Sequence, residues 1–297
     1  MAIFGEPALT ADTEEGGGAP FVLIEPLRRT APLVFASPHS GRRYPRDMLA
    51  AARAPLASLR RGEDAYVDEL IAGAAVHGAP ILCAAFARAY VDLNRGADEL
   101  DQDMFAEALT SPFNAASPRV QAGLGVLPRI AGDGREIYKA KLPSAEAERR
   151  IACIYAPYHE TLAALIGETQ RLFGCAVLID CHSMPSGARP AHTPDFVLGD
   201  RYGASCHPAI TGLVEATLKS MGYRVARNAP FAGGYSTQTH GRPAHNRHAL
   251  QIEINRALYL DERSLQRTKG FTRIGPDLTR LAEALAAAEL HRSLIAA

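Results

Sequence analysis

The chain has 297 residues, with 32 Lys+Arg against 32 Asp+Glu, 47 % hydrophobic and 22 % charged, the make-up of an ordinary globular protein. A formal net charge of zero argues against a nucleic-acid or anionic-membrane surface, because both need clustered positive charge. Nothing approaches the ~18 uninterrupted apolar residues of a spanning helix. The first residues carry Glu6, Asp12, Glu14 and Glu15 without Lys or Arg, unlike the basic start of a signal peptide. The 5 cysteines form no CxxC pair, which suits a reducing compartment better than a disulfide framework. These features predict a cytoplasmic protein.

Residues 1–20, which end in Gly16-Gly17-Gly18-Ala19-Pro20, read as a poorly ordered tail, and residues 21–297 as a single α/β domain. Short apolar runs predict strands at Leu33–Ser37, Pro80–Ala84, Tyr90–Leu93, Ala176–Asp180, Asp195–Leu198 and Ala249–Ile254. Longer stretches predict helices at Asp64–Val76, Ser144–Phe173, Pro208–Met221 and Pro276–Ile295. Ser144 is placed as an N-cap, Gly174 and Gly222 as terminators, and Pro276 at the first helical position. Pro157 should kink the long helix, since it removes one N–H and crowds the preceding turn. The stretch Asp98–Arg135 has no period, and a loop of that length usually serves a site. Strands interleaved with helices predict a three-layer α/β/α architecture with a mixed, largely parallel sheet.

Polar groups recur at or just past the carboxyl ends of these strands, where ligands bind in open α/β sheets. His39 follows LVFAS in Ser37-Pro38-His39-Ser40-Gly41, and His182 follows AVLID in Asp180-Cys181-His182-Ser183. Asp64 stands at a predicted helix start, and Glu253 interrupts the apolar run of Ile252 and Ile254. Two neutral imidazoles and one carboxylate are the protein ligands of a catalytic zinc. Such an ion activates water and polarises a carbonyl oxygen, while a further carboxylate moves the proton to a leaving amine. His39, Asp64 and His182 are assigned to one divalent ion and Glu253 to the base. Strand alternation puts Asp180 on the side of His182, able to orient it.

Each residue also has a plainer reading. His39 fits a loop histidine, and His182 with Asp180 a buried hydrogen-bonded pair. Asp64 fits a carboxylate that favours a helix N-terminus, as does Glu63, and Asp68 shares its helical face. Glu253 resists such a reading, because a carboxylate in an apolar strand is rarely buried without a partner. His240, His245 and His248 fall in a Gly/Pro/Asn-rich stretch and read mostly as loop residues. Cys181 adjoins His182, but neighbours on a strand point to opposite faces. No phosphate loop, dinucleotide fingerprint, serine-hydrolase elbow or HExxH motif occurs.

On the substrate side, Asn94 and Arg95 end Tyr90-Val91-Asp92-Leu93-Asn94-Arg95, Tyr235 and Arg242 lie in a glycine-hinged polar loop, and Arg256 follows Glu253. Guanidinium forks suit carboxylates, so a small anionic substrate is expected.

Ser37-Pro38-His39-Ser40-Gly41, Glu63-Asp64-Ala65-Tyr66-Val67-Asp68, the Asp92-Leu93-Asn94-Arg95 block, Asp180-Cys181-His182-Ser183, Gly233-Gly234-Tyr235 with His240-Gly241-Arg242-Pro243, and Leu250-Gln251-Ile252-Glu253 together resemble the N-formylglutamate amidohydrolase family. The resemblance covers most of the chain in the family's order. It implies a phosphorylase/hydrolase-like α/β fold related to zinc carboxypeptidases and deacylases. It also implies hydrolysis of N-formyl-L-glutamate to formate and L-glutamate, a late step of histidine degradation. His39 and His182 carry over as metal ligands and Glu253 as general base. The acidic ligand stays open among Glu63, Asp64 and Asp68, because Ser40, Gly41 and Arg42 supply no carboxylate near the first histidine. Arg95 or Asn94 is expected to hold the oxyanion, Arg242 and Arg256 the glutamate carboxylates, and Tyr235 to close over the substrate. Another N-acyl amino-acid deacylase or a carboxypeptidase-like zinc hydrolase is the alternative, and a non-catalytic small-molecule binder a lesser one. The ion's identity and the oligomeric state stay open, since several divalent metals accept such N/O sets.

Overall fold

A computed structural model describes residues 18–187, 193–288 and 290. The expected N-terminal tail lies for the most part outside the described residues, as does the end of the last predicted helix. The described residues divide into two compact units, one of residues 18–21, 39–63 and 84–158, the other of residues 22–38, 64–83, 159–187, 193–288 and 290.

The second unit holds nearly all of a seven-stranded sheet. Its strands are β1 (Phe21–Ile24), β2 (Leu33–Ser37), β3 (Ile81–Ala84), β4 (Ala176–Met184), β5 (Phe196–Gly199), β6 (Val225–Arg227) and β7 (Arg247–Asn255), in the order β1-β3-β2-β4-β7-β5-β6. The pairs β2–β3, β2–β4, β4–β7 and β5–β6 are parallel, and β5–β7 is antiparallel. This is the mixed, largely parallel α/β sheet expected. A small antiparallel pair, β8 (Leu260–Asp261) and β9 (Gln266–Arg267), follows.

Strand alternation sorts the side chains. Leu33, Phe35, Val177, Ile179, Cys181, Phe196, Leu198, Leu250, Ile252 and Ile254 join one apolar cluster. That cluster also takes in Val67 and Leu70 of α3 (Val67–Leu70), Ile210, Val214 and Leu218 of α7 (Pro208–Ser220), and Ile274, Leu278, Leu281 and Leu285 of α9 (Phe271–Ala287). Asp180, His182, Gln251 and Glu253 alternate with these residues and face the other way. On that side α8 (Tyr235–His240) lies against β4 and β7.

The first unit has little regular structure: α1 (Arg46–Ala51), α2 (Leu56–Arg60), α4 (Pro118–Gln121) and α5 (Ala145–Arg150), with isolated bridges such as Arg43↔Phe86 and Ala52↔Tyr138. Side chains do much of the holding. The buried Arg150 guanidinium lies 3.9 Å from the Tyr90 ring centroid and donates to Tyr138 Oη at 2.7 Å. Desolvated cation–π contacts of this kind contribute about 2 kcal/mol.

Several expectations are corrected. Tyr90–Leu93 is not a strand: the Tyr90 amide bonds to the Ala87 carbonyl, and Asp92 pairs with Val126 instead of a sheet neighbour. Asp64 precedes its helix, which starts at Val67 after a left-handed Tyr66 (φ 64°) and passes into a 3-10 turn at Ala72–His77. The long helix is divided as Pro157 requires, into α5, a π turn at Ile151–Tyr155 and α6 (Ala156–Phe173), the wider turn falling just before the residue that lacks an N–H. Ser144 makes no side-chain cap there. The last helix starts at Phe271, so Pro276 sits inside it. Burial of Ile274 with Leu278 and Leu281 carries the helix past the missing N–H.

Candidate functional site

The sheet reverses its order between β2 and β4: the chain leaves β2 for β3 on one side and returns to β4 on the other. Such a switch point opens a crevice at the strands' carboxyl ends. β4 and β7 stay paired over nine residues, with Asp180 opposite Gln251 and His182 opposite Glu253. Both outrun β2, whose Ala36 pairs with Asp180 and which ends one residue later. His182 is therefore inside its strand, not beyond it as the sequence suggested, yet it stands where the neighbouring strand has already stopped.

Around His182 the second unit gathers three carboxylates. His182 Nδ1 lies 3.0 Å from Asp64 Oδ2, and Nε2 lies 3.0 Å from Asp180 Oδ2. Burial alone would lower the pKa of this imidazole, but Asp180, Asp64 and Glu253 raise it well above the usual value. The turn through Tyr66 presents Asp64, whose Oδ1 accepts from Ser183 Oγ at 3.0 Å and from Arg256 Nη2 at 3.1 Å. Arg256 Nε also reaches Ser183 Oγ at 3.0 Å. Glu253 is 7 % exposed, and its Oε1 accepts from Gln251 Nε2 at 2.7 Å. Asp64, His182, Glu253 and Arg256, assigned from sequence, thus belong to one buried polar group.

His240, at the end of α8, feels Asp180 but is pushed down to about 4 mainly by burial, so its ring is neutral near pH 7. Tyr235 packs edge-on against His159, with ring centroids 5.4 Å apart, and His159 stacks on His240 at 6.5 Å. Arg242 is exposed and turns its guanidinium onto the carbonyls of Gln238 and Gly241. His245 is exposed. His248 is buried with its Nδ1 accepting from the His207 amide.

In the first unit a second polar group surrounds Asp92. His39 Nε2 lies 2.7 Å from Asp92 Oδ1, which also accepts from the Asn94 amide at 2.9 Å. Arg88 Nε donates to Oδ2 at 2.8 Å, and Arg95 Nε lies 3.8 Å from it. Burial works to raise the Asp92 pKa, but Arg88, Arg95 and His39 hold it well below the usual carboxylate range. Arg95 further donates to the carbonyls of Leu124 and Asn94. Glu63, an alternative acidic ligand, is taken up by Tyr44 Oη at 2.6 Å and Arg60 Nε at 3.1 Å. Asp68 lies in the first turn of α3.

Sequence reasoning missed Gln251, and it gave no role to Asp92 or Ser183. Gln251 was within reach, since strand alternation puts it on the face of Glu253. Asp92 and Ser183 meet their partners across 53 and 119 residues of chain, beyond any local pattern.

A family model described as N-formylglutamate amidohydrolase matches residues 31–260. The chain belongs to the N-formylglutamate amidohydrolase family. It is 33 % identical over 246 residues to an N-formylglutamate deformylase of Pseudomonas aeruginosa, covering 80 % of this chain and 85 % of that one. To an N-formylglutamate deformylase of Pseudomonas putida it is 31 % identical over 240 residues, 78 % and 82 % of the two chains. The crystal structure of N-formylglutamate amidohydrolase from Ralstonia eutropha matches with a TM-score of 0.85 and 37 % identity, covering 91 % of this chain and 98 % of that one. The matched span of the amidohydrolase family contains every site residue discussed above, from His39 to Arg256.

No helix among the described residues is long and apolar enough to cross a membrane.

Proposed function

We propose that the chain hydrolyses the amide bond of an N-acyl amino acid, foremost N-formyl-L-glutamate to formate and L-glutamate, with one divalent ion, zinc, held by His39, Asp64 and His182. The observation that carries this reading is the buried polar group of the second unit, where His182 lies 3.0 Å from Asp64 Oδ2 and 3.0 Å from Asp180 Oδ2, with His39 joining the set through the family resemblance. The set of two imidazoles and one carboxylate suits zinc. The fit is supported by Asp64, Asp180 and Glu253 crowding one buried imidazole, an arrangement in which desolvated negative charge calls for a cation. Membership of the family and the names of the Pseudomonas relatives support the substrate.

When bound, a divalent ion there supplies Lewis acidity to the scissile carbonyl and to water. Glu253 takes the proton of the attacking water and returns it to the leaving amine. Asn94 and Arg95 supply donors for the oxyanion. Arg242 and Arg256 meet the substrate carboxylates, Arg256 while bonded to Asp64, and Tyr235 closes over the bound molecule. The family resemblance suggests a late step of histidine breakdown for this reaction.

The test is release of formate and glutamate by purified protein from N-formyl-L-glutamate, set against the N-acetyl and N-succinyl analogues and a dipeptide, before and after chelation. Turnover of the formyl substrate that disappears on chelation and returns with zinc is expected. Turnover of the analogues alone defeats the substrate assignment, and turnover untouched by complete metal removal defeats the ion.

A further inference from the structure

The two histidines share one hydrogen-bonding arrangement although they lie in different units of the chain. His39 presents Nε2 to Asp92 Oδ1 at 2.7 Å, and His182 presents Nε2 to Asp180 Oδ2 at 3.0 Å. Both aspartates are buried, at 1 % and 0 % exposure. On its other edge, His182 turns Nδ1 to Asp64 Oδ2 at 3.0 Å. We propose that Asp92 is a positioning residue that fixes His39 with its proton on Nε2, as Asp180 fixes His182, which leaves Nδ1 of each ring as the nitrogen able to take a metal.

The chemistry follows from what each group can do. An ionised carboxylate only accepts hydrogen bonds, so the nitrogen facing it must carry the proton. A neutral imidazole then has its lone pair on the other nitrogen, Nδ1, and the charged acceptor makes that lone pair more basic. Asp92 is well held for this task. Its Oδ1 also takes the Asn94 amide at 2.9 Å and its Oδ2 takes Arg88 Nε at 2.8 Å, so the carboxylate cannot rotate away without breaking both. The Asp92–Asn94 bond is an Asx turn, in which an aspartate caps the amide two residues on. The Asp92-Leu93-Asn94-Arg95 block is therefore a clamp on a histidine 53 residues away.

This inference rests on the reading that His39 and His182 hold the ion, and the experiment separates the two. Zinc affinity is measured by chelator competition for the unaltered protein, Asp92→Asn and Asp92→Ala, with melting temperatures alongside. Zinc-loaded protein is also examined by heteronuclear NMR of the imidazole nitrogens. Asp92→Ala is expected to weaken zinc binding about 10- to 100-fold. Asp92→Asn, whose amide oxygen still accepts from Nε2–H, should recover part of that loss. NMR should find protons on Nε2 and the metal on Nδ1 in both histidines. If the unaltered protein binds no zinc, the reading of the ion falls. If it binds zinc but ligates through His39 Nε2, or if Asp92→Ala binds as tightly as the parent, the role of Asp92 falls. The NMR result on the parent decides the matter even should Asp92→Ala fail to fold.

Discussion

His182 and Glu253 are register partners on two adjacent parallel strands, so an imidazole and a carboxylate stand side by side on one face of the sheet. Gln251 holds Glu253 from below in the same row. Glu253→Gln keeps the shape and removes the carboxylate proposed as the base. Its turnover should fall by about 10²- to 10⁴-fold, with zinc content and melting temperature close to the parent. Steady-state kinetics with metal analysis on the same preparation checks this, and a variant that keeps full turnover removes Glu253 from the chemistry.

Arg256 compensates Asp64 across a buried ion pair of 3.1 Å. Removing one partner of a buried pair costs about 3–5 kcal/mol when the other is left uncompensated, and somewhat less here because Asp64 keeps His182 and Ser183. Arg256→Met should therefore destabilise the metal-free protein by an amount of that order, and zinc should restore more stability to the variant than to the parent. Urea unfolding of both proteins with and without zinc measures the difference. Equal zinc effects would mean that Arg256 does not balance the charge of Asp64.

Gly41 is required by packing. The amides of Arg42 and Arg43 pair with the Ala85 carbonyl, and a Cβ on Gly41 would come 2.0 Å from the Phe86 carbonyl oxygen. Gly41→Ala must push two backbones apart, and a loss of about 3 kcal/mol or more is expected. Gly134→Ala is the control: φ is +83°, but nothing lies within 4 Å, so only about 1 kcal/mol of backbone strain applies. Denaturation midpoints that do not separate the two variants would contradict this packing.

His248 and His240 are both pushed down to about 4, burial being the main cause in each. In the unfolded chain such rings titrate near 6.5, so between about pH 6.5 and 4 the unfolded state binds more protons than the folded one. Stability should then be fully present above that window and fall as the pH drops through it. The slope is at most ~1.4 kcal/mol per pH unit for each ring, less where solvent screens it. His248→Gln should flatten the fall, as followed by urea unfolding at a series of pH values. An unchanged slope would mean that the ring is not buried neutral.

The strands buried on both faces were the ones legible in the sequence: β2, β3, β4, β5 and β7 are built around apolar runs, with polar residues such as Asp180, His182, Gln251 and Glu253 set into the longer ones. The short β1, β6, β8 and β9 carry too few residues to form a pattern. Tyr90–Leu93 misled because its aromatic and β-branched residues have strand propensity, whereas burial of Tyr90 against Arg150 and Phe86 favours a turn. Pro276 misled because a proline usually marks a helix start, while the apolar face from Ile274 to Leu285 favours an earlier one. Asp64, His182 and Glu253 were visible as charged or ligating residues set in or beside apolar runs. Of their supports, Gln251 shares the strand face of Glu253 and was within reach, whereas the pairing of Ser183 and Arg256 with Asp64 was not, since it joins segments more than a hundred residues apart.

β4 is two-faced: Val177, Ile179 and Cys181 enter the apolar cluster while Asp180 and His182 look the other way. Losing one residue from the middle of this strand would exchange the two faces beyond the cut, driving an imidazole into hydrocarbon and presenting a thiol to the substrate. Losing two would keep the faces and only shorten the ladder. The gene should thus tolerate no single-codon deletion here, because the same event ruins solubility and chemistry together.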